Sequence, residues 1–378
     1  MLRLGAFNVE NLFRRPKAIN TLGWNEGKGK EVLAAYAALE DVLQEQTYGP
    51  AEKQRILDHL KTLGLLRSDD SQWAFLRRSR GELLRRPRNG PVEVIASGRG
   101  DWIGWLELKK ESVNEVATRN TARVIADVGA DVLAVIEADD RPALDRFNRD
   151  LLPVGFEENG AQPRPFRHVM LVDGNDDRGI DVGLLTARRY PIETVRSHVD
   201  DRDSKDNPIF SRDCAEYRIP VPNGDPLLLL VNHFKSKGFG SQETSNAKRL
   251  QQARRVAKIY GQRRADGWKR IAVLGDLNDT PDSKPLKPLV QDTDLKDVSE
   301  HANYRKETRT GTYGTTNNKI DYLLLSPDLF AAVQDAGLNR KGVWHGPKVK
   351  NPWEMLDTME RDIHQASDHA AIWADLKL

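Results

Sequence analysis

Apolar positions recur along this chain in two registers. Short, nearly unbroken apolar runs, the pattern of strands buried on both faces, occur in LRLGAFN at the start and in DVLAVIE (131–137). They recur in FRHVMLV (166–172), IDVGLLT (180–186), LLLLVNHF (227–234), RIAVLGDL (270–277), KIDYLLLS (319–326) and AAIWADL (370–376). Helical spacing alternates with these runs. SVNEVATRNTARVIADVG (112–129) reads as a helix stopped by Gly129, and residues 241–264 read as a long helix with Leu250, Ala253, Ala257 and Tyr260 on one face. Strands mixed with helices in this way predict an α/β protein of packed sheets and covering helices.

The texture changes between about residue 20 and residue 110, which is expected to be an insertion into a single domain spanning 1–378. Val32, Tyr36, Leu39 and Leu43 mark one amphipathic helix there, and Ile56, Leu60 and Leu63 mark a second. After them, RRSRGELLRRPR (77–88) holds six arginines against one glutamate. PVEVIAS and DWIGWLEL flank the turn signal GRGD and predict an antiparallel hairpin, with Trp102 and Trp105 as packing residues.

Composition narrows the class without naming a partner. In the 378-residue chain, 58 basic residues nearly balance 56 acidic ones, leaving +2. That total neither requires nor excludes a polyanionic partner, so local distribution matters more. The one cysteine, Cys214, rules out an internal disulfide, and no Cys or His cluster has structural-zinc spacing. No stretch approaches the ~20 apolar residues of a membrane span and the N-terminus lacks a signal-like apolar core. The expectation is a cytoplasmic protein without a transmembrane segment or an obligate protein partner.

Polar residues collect where the apolar runs stop. Asn8 ends the first run, Glu137 ends DVLAVIE, Asn232 and His233 end LLLLVNHF, and Asp276 and Asn278 end RIAVLGDLND. Asp321 opens KIDYLLLS, and Asp368 and His369 precede the last run. If the strand ends converge, carboxylates, amides and imidazoles share one site. Hydrolysis of a phosphate ester needs such a set, because water must attack a centre already ringed by negative oxygens. A hard cation such as Mg²⁺ or Mn²⁺ takes oxygen ligands and neutralises charge. A histidine near neutral pH, its tautomer fixed by a carboxylate, can accept the proton of water.

In that order, FNVENLF, DVLAVIE, VNHFKSK, GDLND, KIDYLLLS and SDH resemble the endonuclease/exonuclease/phosphatase superfamily, over most of the chain outside the insertion. The resemblance implies two packed mixed β-sheets flanked by helices, a four-layer sandwich. It also implies roles. Glu137 corresponds to the principal metal ligand, with Asn8 beside it and Asp368 near the same Mg²⁺ or Mn²⁺. His369 orients or deprotonates water and Asp321 pairs with it. Asp276 and Asn278 approach nucleophile and phosphate, and His233 donates to a phosphate oxygen or assists the leaving group. Asp279, followed by Thr280 and Pro281, reads as a turn former.

Arg178, Arg212 and Lys235 are substrate-binding candidates, since arginine can clamp phosphate and lysine can raise the local potential. The arginine run and the helix carrying Lys248, Arg249, Arg254, Arg255 and Lys258 could track a phosphate backbone, although such charge runs are commonly solvated faces. The expected activity is metal-dependent phosphoester hydrolysis, with a phosphate-ester substrate and nucleic acid as the first class to consider. Alternatives are a lipid or small-molecule phosphodiesterase or phosphatase on the same site, or a non-catalytic binding protein on this fold. A dinuclear metallophosphoesterase of the calcineurin type would need an early Asp-x-His and a late His-x-His, and neither occurs.

Overall fold

In the computed structural model the eight apolar runs supply eight of the twelve strands of two six-stranded mixed sheets. Residues 1–378 are described except 11, 13, 17–27, 177, 178, 223, 238–240 and 308. The chain divides into two units, Met1–Phe13 with Val113–Lys237 and Glu243–Leu378, and Arg14–Ser112 with Gly238–Gln242.

The larger unit holds strands β1 (Leu2–Asn8), β2 (Val132–Ala138), β3 (His168–Val172), β4 (Asp181–Thr186), β5 (Thr194–Arg196) and β6 (Cys214–Ile219). It continues with β7 (Leu227–His233), β8 (Ile271–Asp276), β9 (Lys296–Asp297), β10 (Asp321–Leu325), β11 (Val333–Asn339) and β12 (Ala371–Leu376). Its long helices are α1 (Glu115–Val128) and α2 (Gln242–Ala265). One sheet runs β11-β12-β1-β2-β4-β3 and the other β5-β6-β7-β8-β10-β9. Each has one parallel pair at its centre, β1 with β2 and β7 with β8, and antiparallel neighbours outside it.

The unbroken apolar runs follow from burial on both faces. Leu4, Ala6, Val132, Ala134 and Ile136 face the core between the sheets, where they meet Leu229, Val231, Ala272, Leu274 and Leu323. Their sequence neighbours point outward. Leu133 and Val135 pack against Ala122, Val124 and Ile125 of α1, and Leu228, Leu230 and Val273 pack against Ala253, Val256 and Ile259 of α2. Four layers result, as expected for this fold class. Each fully buried aliphatic side chain contributes about 1.5–3 kcal/mol, so Leu229→Ala in the central core should cost roughly 2–5 kcal/mol.

Local chemistry sets the helix ends. Asn114 caps α1 by accepting the Val116 N–H at 2.9 Å, and Gly129 closes it at φ 59°. On α2 the expected face is displaced. Ala253 and Tyr260 are buried, but Leu250 and Ala257 are only half-buried, and Arg249 and Gln252 lie inward with Val256 and Ile259.

The smaller unit has its own core, in which helices Lys28–Leu43 and Pro50–Thr62 contribute Val32, Tyr36, Leu39, Ile56 and Leu60. Its strand pairing corrects the predicted hairpin. Ile103–Leu108 pairs with Ala74–Arg80, and Glu93–Val94 pairs with Leu84–Arg85. The reason is alternation: Ala74 and Leu76 share an inward face with Leu106 and Leu108, a longer apolar match than the segment before GRGD offers. Trp102 is buried, whereas Trp105 is 50 % exposed opposite Arg77, against the expectation that both pack. The arginine run is largely neutralised, because Arg77, Arg78, Arg85 and Arg86 pair with Glu107, Glu82, Glu93 and Asp69.

Candidate active site

The inward face of the central strands ends in polar residues. Leu4 and Ala6 are followed on the same face by Asn8, Leu229 and Val231 by His233, and Ala272 and Leu274 by Asp276, while Asp321 precedes Leu323. His233 is directly opposite Asp276, and Asp276 opposite Asp321, so these three form one row across the second sheet. Gly275 permits the close approach. It sits at φ 120°, and a Cβ there would lie 2.1 Å from the Asn232 carbonyl oxygen.

Asp276 is the hub. Its Oδ2 accepts from Asn8 Nδ2 at 3.1 Å and from Asn278 Nδ2 at 3.0 Å, and its Oδ1 accepts the Asn278 N–H at 2.8 Å. His233 Nε2 stands 3.7 Å from Asp276 Oδ2 and 3.5 Å from Glu137 Oε1. Asn8 Nδ2 also donates to Glu137 Oε1 at 3.3 Å. The Asn8 side-chain oxygen accepts the Glu10 N–H at 3.0 Å, and its nitrogen is directed toward the carboxylates of Glu137 and Asp276.

A β-bulge delivers Glu137. The register between β2 and β4 slips between Asp181 and Val182, leaving Glu137 as the extra residue at φ 68°. Glu10 and Asn278 also have positive φ, at 50° and 54°. Among the described residues, three of the five non-glycine residues with this conformation therefore stand at this site, where the fold holds them against their local preference.

The segment before β12 is laced to other strands. Ser367 Oγ donates to the Asn8 carbonyl at 2.7 Å and accepts the His369 N–H at 3.0 Å. Glu10 Oε2 accepts the Asp368 N–H at 3.0 Å and Gln365 Nε2 at 3.2 Å. His369 Nδ1 pairs with Asp321 Oδ2 at 2.8 Å, while Nε2 stands 3.6 Å from Asp368 Oδ1 and 4.0 Å from Asp276 Oδ2. One ligand atom each from Asp276, Asp321 and His369 fit within 4.8 Å of one another.

The electrostatics follow from crowding negative charge at a buried sheet end. Burial pulls the His369 imidazole down, but Asp321 and Asp368 outweigh it and raise its pKa well above the ordinary value. Burial pushes the Asp276 carboxyl up to about 7, reinforced by Asp321 and opposed by His369. Tyr313, edge-on to His369 at 5.1 Å, has its phenol pushed up, first by Asp368 and then by burial.

Asn8, Glu137, His233, Asp276, Asn278, Asp321, Asp368 and His369 are thus brought together. The substrate-binding candidates fare differently. Arg178 lies outside the described residues. Arg212 is fully buried, donating to Asp176 Oδ2 at 3.0 Å and the Phe234 carbonyl at 2.6 Å, so it braces strand ends instead of opening toward a ligand. Lys235 is half-buried just beyond His233, with its N–H on Gln252 Oε1 at 2.9 Å. Sequence reasoning missed Glu10, which the Asn-x-Glu spacing could have flagged, and Tyr313, for which no local signal exists.

Two mixed sheets with this carboxylate and histidine cluster at their common end make a phosphoesterase-type hydrolase fold. The chain belongs to the Endonuclease/Exonuclease/phosphatase family, whose model matches residues 110–336. No curated protein matches the chain. Among solved structures, truncated Caenorhabditis elegans TDP2 is 17% identical with a TM-score of 0.44, covering 69% of this chain and 91% of that one. The mannosyl-6-phosphatase of Bacteroides thetaiotaomicron is 14% identical with a TM-score of 0.48, covering 70% and 92%. Staphylococcus aureus beta toxin is 18% identical with a TM-score of 0.44, covering 70% and 94%.

Proposed function

We propose that the protein is a Mg²⁺- or Mn²⁺-dependent phosphodiesterase in which His369 activates water. The observation that carries this reading is the His369 to Asp321 pair set among carboxylates from separate strands. Glu137 and Asp368 are oxygen donors of the kind a hard cation takes, and they stand 3.5 Å from His233 and 3.6 Å from His369 respectively, so their donor chemistry suits the ion, with Asn8 beside Glu137. Bound there, a divalent cation would neutralise charge developing on the phosphate as a Lewis acid.

This chain's residues carry the remaining steps. In its neutral form His369 donates Nδ1–H to the ionised Asp321 carboxylate, which leaves the Nε2 lone pair to take a proton from water. Asp276 orients the same water, held by Asn8 and Asn278 through its two oxygens. His233 donates to a phosphate oxygen or the departing oxygen.

For the substrate we favour a nucleic acid over a lipid or small ester. Lys205, Lys248, Arg254, Arg255 and Lys258 line a groove on the outer face of α2 together with Asp203; Arg255 is paired with Asp201 and Lys248 donates to the Pro208 carbonyl, which leaves Lys205, Arg254 and Lys258 as the cations that favour an anion there. Cations in a row along a helix suit successive phosphates. The neutralised arginine run of the smaller unit lends no support.

Purified protein assayed on bis(p-nitrophenyl) phosphate, single-stranded DNA, duplex DNA, RNA, phosphoinositides and sphingomyelin, each with MgCl₂ and with EDTA, tests the proposal. Hydrolysis that EDTA abolishes and His369→Ala depresses supports it. Activity indifferent to EDTA, or none on any substrate, overturns it.

A further inference from the structure

We infer that Arg249 and Asp279 form a buried positioning pair that fixes the Asp276 carboxylate through Asn278; the inference rests on the active-site reading above. Arg249 is fully buried on the inner face of α2. Its Nε donates to Asp279 Oδ2 at 3.1 Å, its Nη1 to the Lys235 carbonyl at 2.9 Å, and its Nη2 to Asn246. One guanidinium thus ties the loop after β7 to the loop after β8. The next turn of α2 repeats the hold, because Gln252 Oε1 accepts the Lys235 N–H at 2.9 Å.

Asp279 is gripped from every side. Its Oδ1 accepts from Lys237 Nζ at 2.5 Å and from the Thr280 N–H at 3.0 Å, and its carbonyl accepts from Tyr322 Oη at 2.7 Å. The residue before it is Asn278, held at φ 54°. Asn278 places one amide proton on the Phe234 carbonyl at 3.1 Å and the other on Asp276 Oδ2 at 3.0 Å. Asp276 therefore inherits its orientation from α2 by way of two short loops.

A buried ion pair is a poor way to gain stability, since a well-packed apolar pair of similar volume is often as good or better. The inner face of α2 is otherwise largely apolar, with Ala253, Val256, Ile259 and Tyr260. What the ion pair adds is geometry. Lysine could not reproduce it, because a point charge cannot hold two acceptors on separate loops in fixed directions.

Arg249→Lys, Asp279→Asn and the double variant test this, with Ile259→Ala as a core-destabilising control on the same helix. Each is assayed on bis(p-nitrophenyl) phosphate with MgCl₂. The Asn278 side-chain amide is followed by NMR in EDTA. Each single variant is expected to lower kcat about ten- to hundredfold, with KM and the Mg²⁺ midpoint little changed. The double variant should be no worse than the poorer single, and the Asn278 amide signals should move in Arg249→Lys but not in Ile259→Ala. Near-wild-type kcat in both singles, additive losses, or equal loss in Ile259→Ala at matched Tm would overturn the pair's role. If Arg249→Lys fails to fold, Asp279→Asn is read alone by the same criteria. A wild-type protein without metal-dependent hydrolysis would sink the active-site reading, and the NMR arm would still judge the pair.

Discussion

Nδ1 of His369 and Oδ2 of Asp321 lie 2.8 Å apart although 48 residues separate them in sequence. The pairing fixes the imidazole's tautomer and its basicity. Asp321→Asn is expected to lower kcat by about a hundredfold or more, while the Mg²⁺ concentration for half-activation stays near the wild-type value. Steady-state hydrolysis at several metal concentrations checks this. A variant with near-normal turnover would remove His369 from the role assigned to it.

Glu137 occupies a bulge at φ 68°, a conformation that glycine adopts without strain. It also adds negative charge beside Asp276. Glu137→Gly should therefore stabilise the protein in EDTA, by about 1 kcal/mol, while abolishing metal-dependent turnover. Urea unfolding and a metal titration measure the two effects. Destabilisation in EDTA would mean the side chain supports the fold more than the function.

Glu10 accepts the Asp368 main-chain N–H at 3.0 Å and so holds the residue before His369. Glu10→Gln keeps the shape but weakens a charge-assisted bond of about 1.5–3 kcal/mol. Metal affinity and turnover should both fall, and binding of Mn²⁺ followed by calorimetry separates them. Unchanged metal affinity would exclude Glu10 from positioning Asp368.

Outside the cluster, Glu216 on β6 pairs with Arg263 at 2.6 Å and His198 at 2.7 Å. Burial alone would raise its carboxyl, but Arg263 and then His198 outweigh burial and hold it at about 2, below the ordinary 4.5. A depressed folded-state pKa contributes stability above pH 4.5 that is lost as pH falls toward 2. Glu216→Gln should lose on the order of 2 kcal/mol at pH 7, once solvent screening is allowed for. Its deficit against wild type should shrink as the pH drops through that window. Urea titrations at stepped pH test it, and a deficit independent of pH would refute the ionic origin.

Much of the site could be read from sequence because strand burial leaves so little choice. In a strand apolar on both faces a polar residue stands out against the run, and those at or next to the run's end, Asn8, Glu137, His233, Asp276 and Asp321, could be picked out on that ground. Arg249 shows where that logic stops. By composition it belonged to a basic stripe, yet it lies on the face of α2 that packs against β7 and β8, with its guanidinium on Asp279. Arg212 and Trp105 reversed their expected surroundings for the same reason, since exposure is set by neighbours distant in sequence. The hairpin beside GRGD failed because pairing depends on the best-matched partner strand, and that partner lay further back.

By itself the sequence determined which segments became strands and helices, through apolar periodicity and terminal residues such as Asn114 and Gly129. It also determined which chemical groups stood at the strand ends. Tertiary structure decided which nitrogen or oxygen each group presents, as in the turn of Asn8 toward Glu10, and which buried charges brace others, as Arg249 does. Those outcomes depend on hydrogen-bond directions among residues far apart in the chain, and periodicity along one strand carries no information about them.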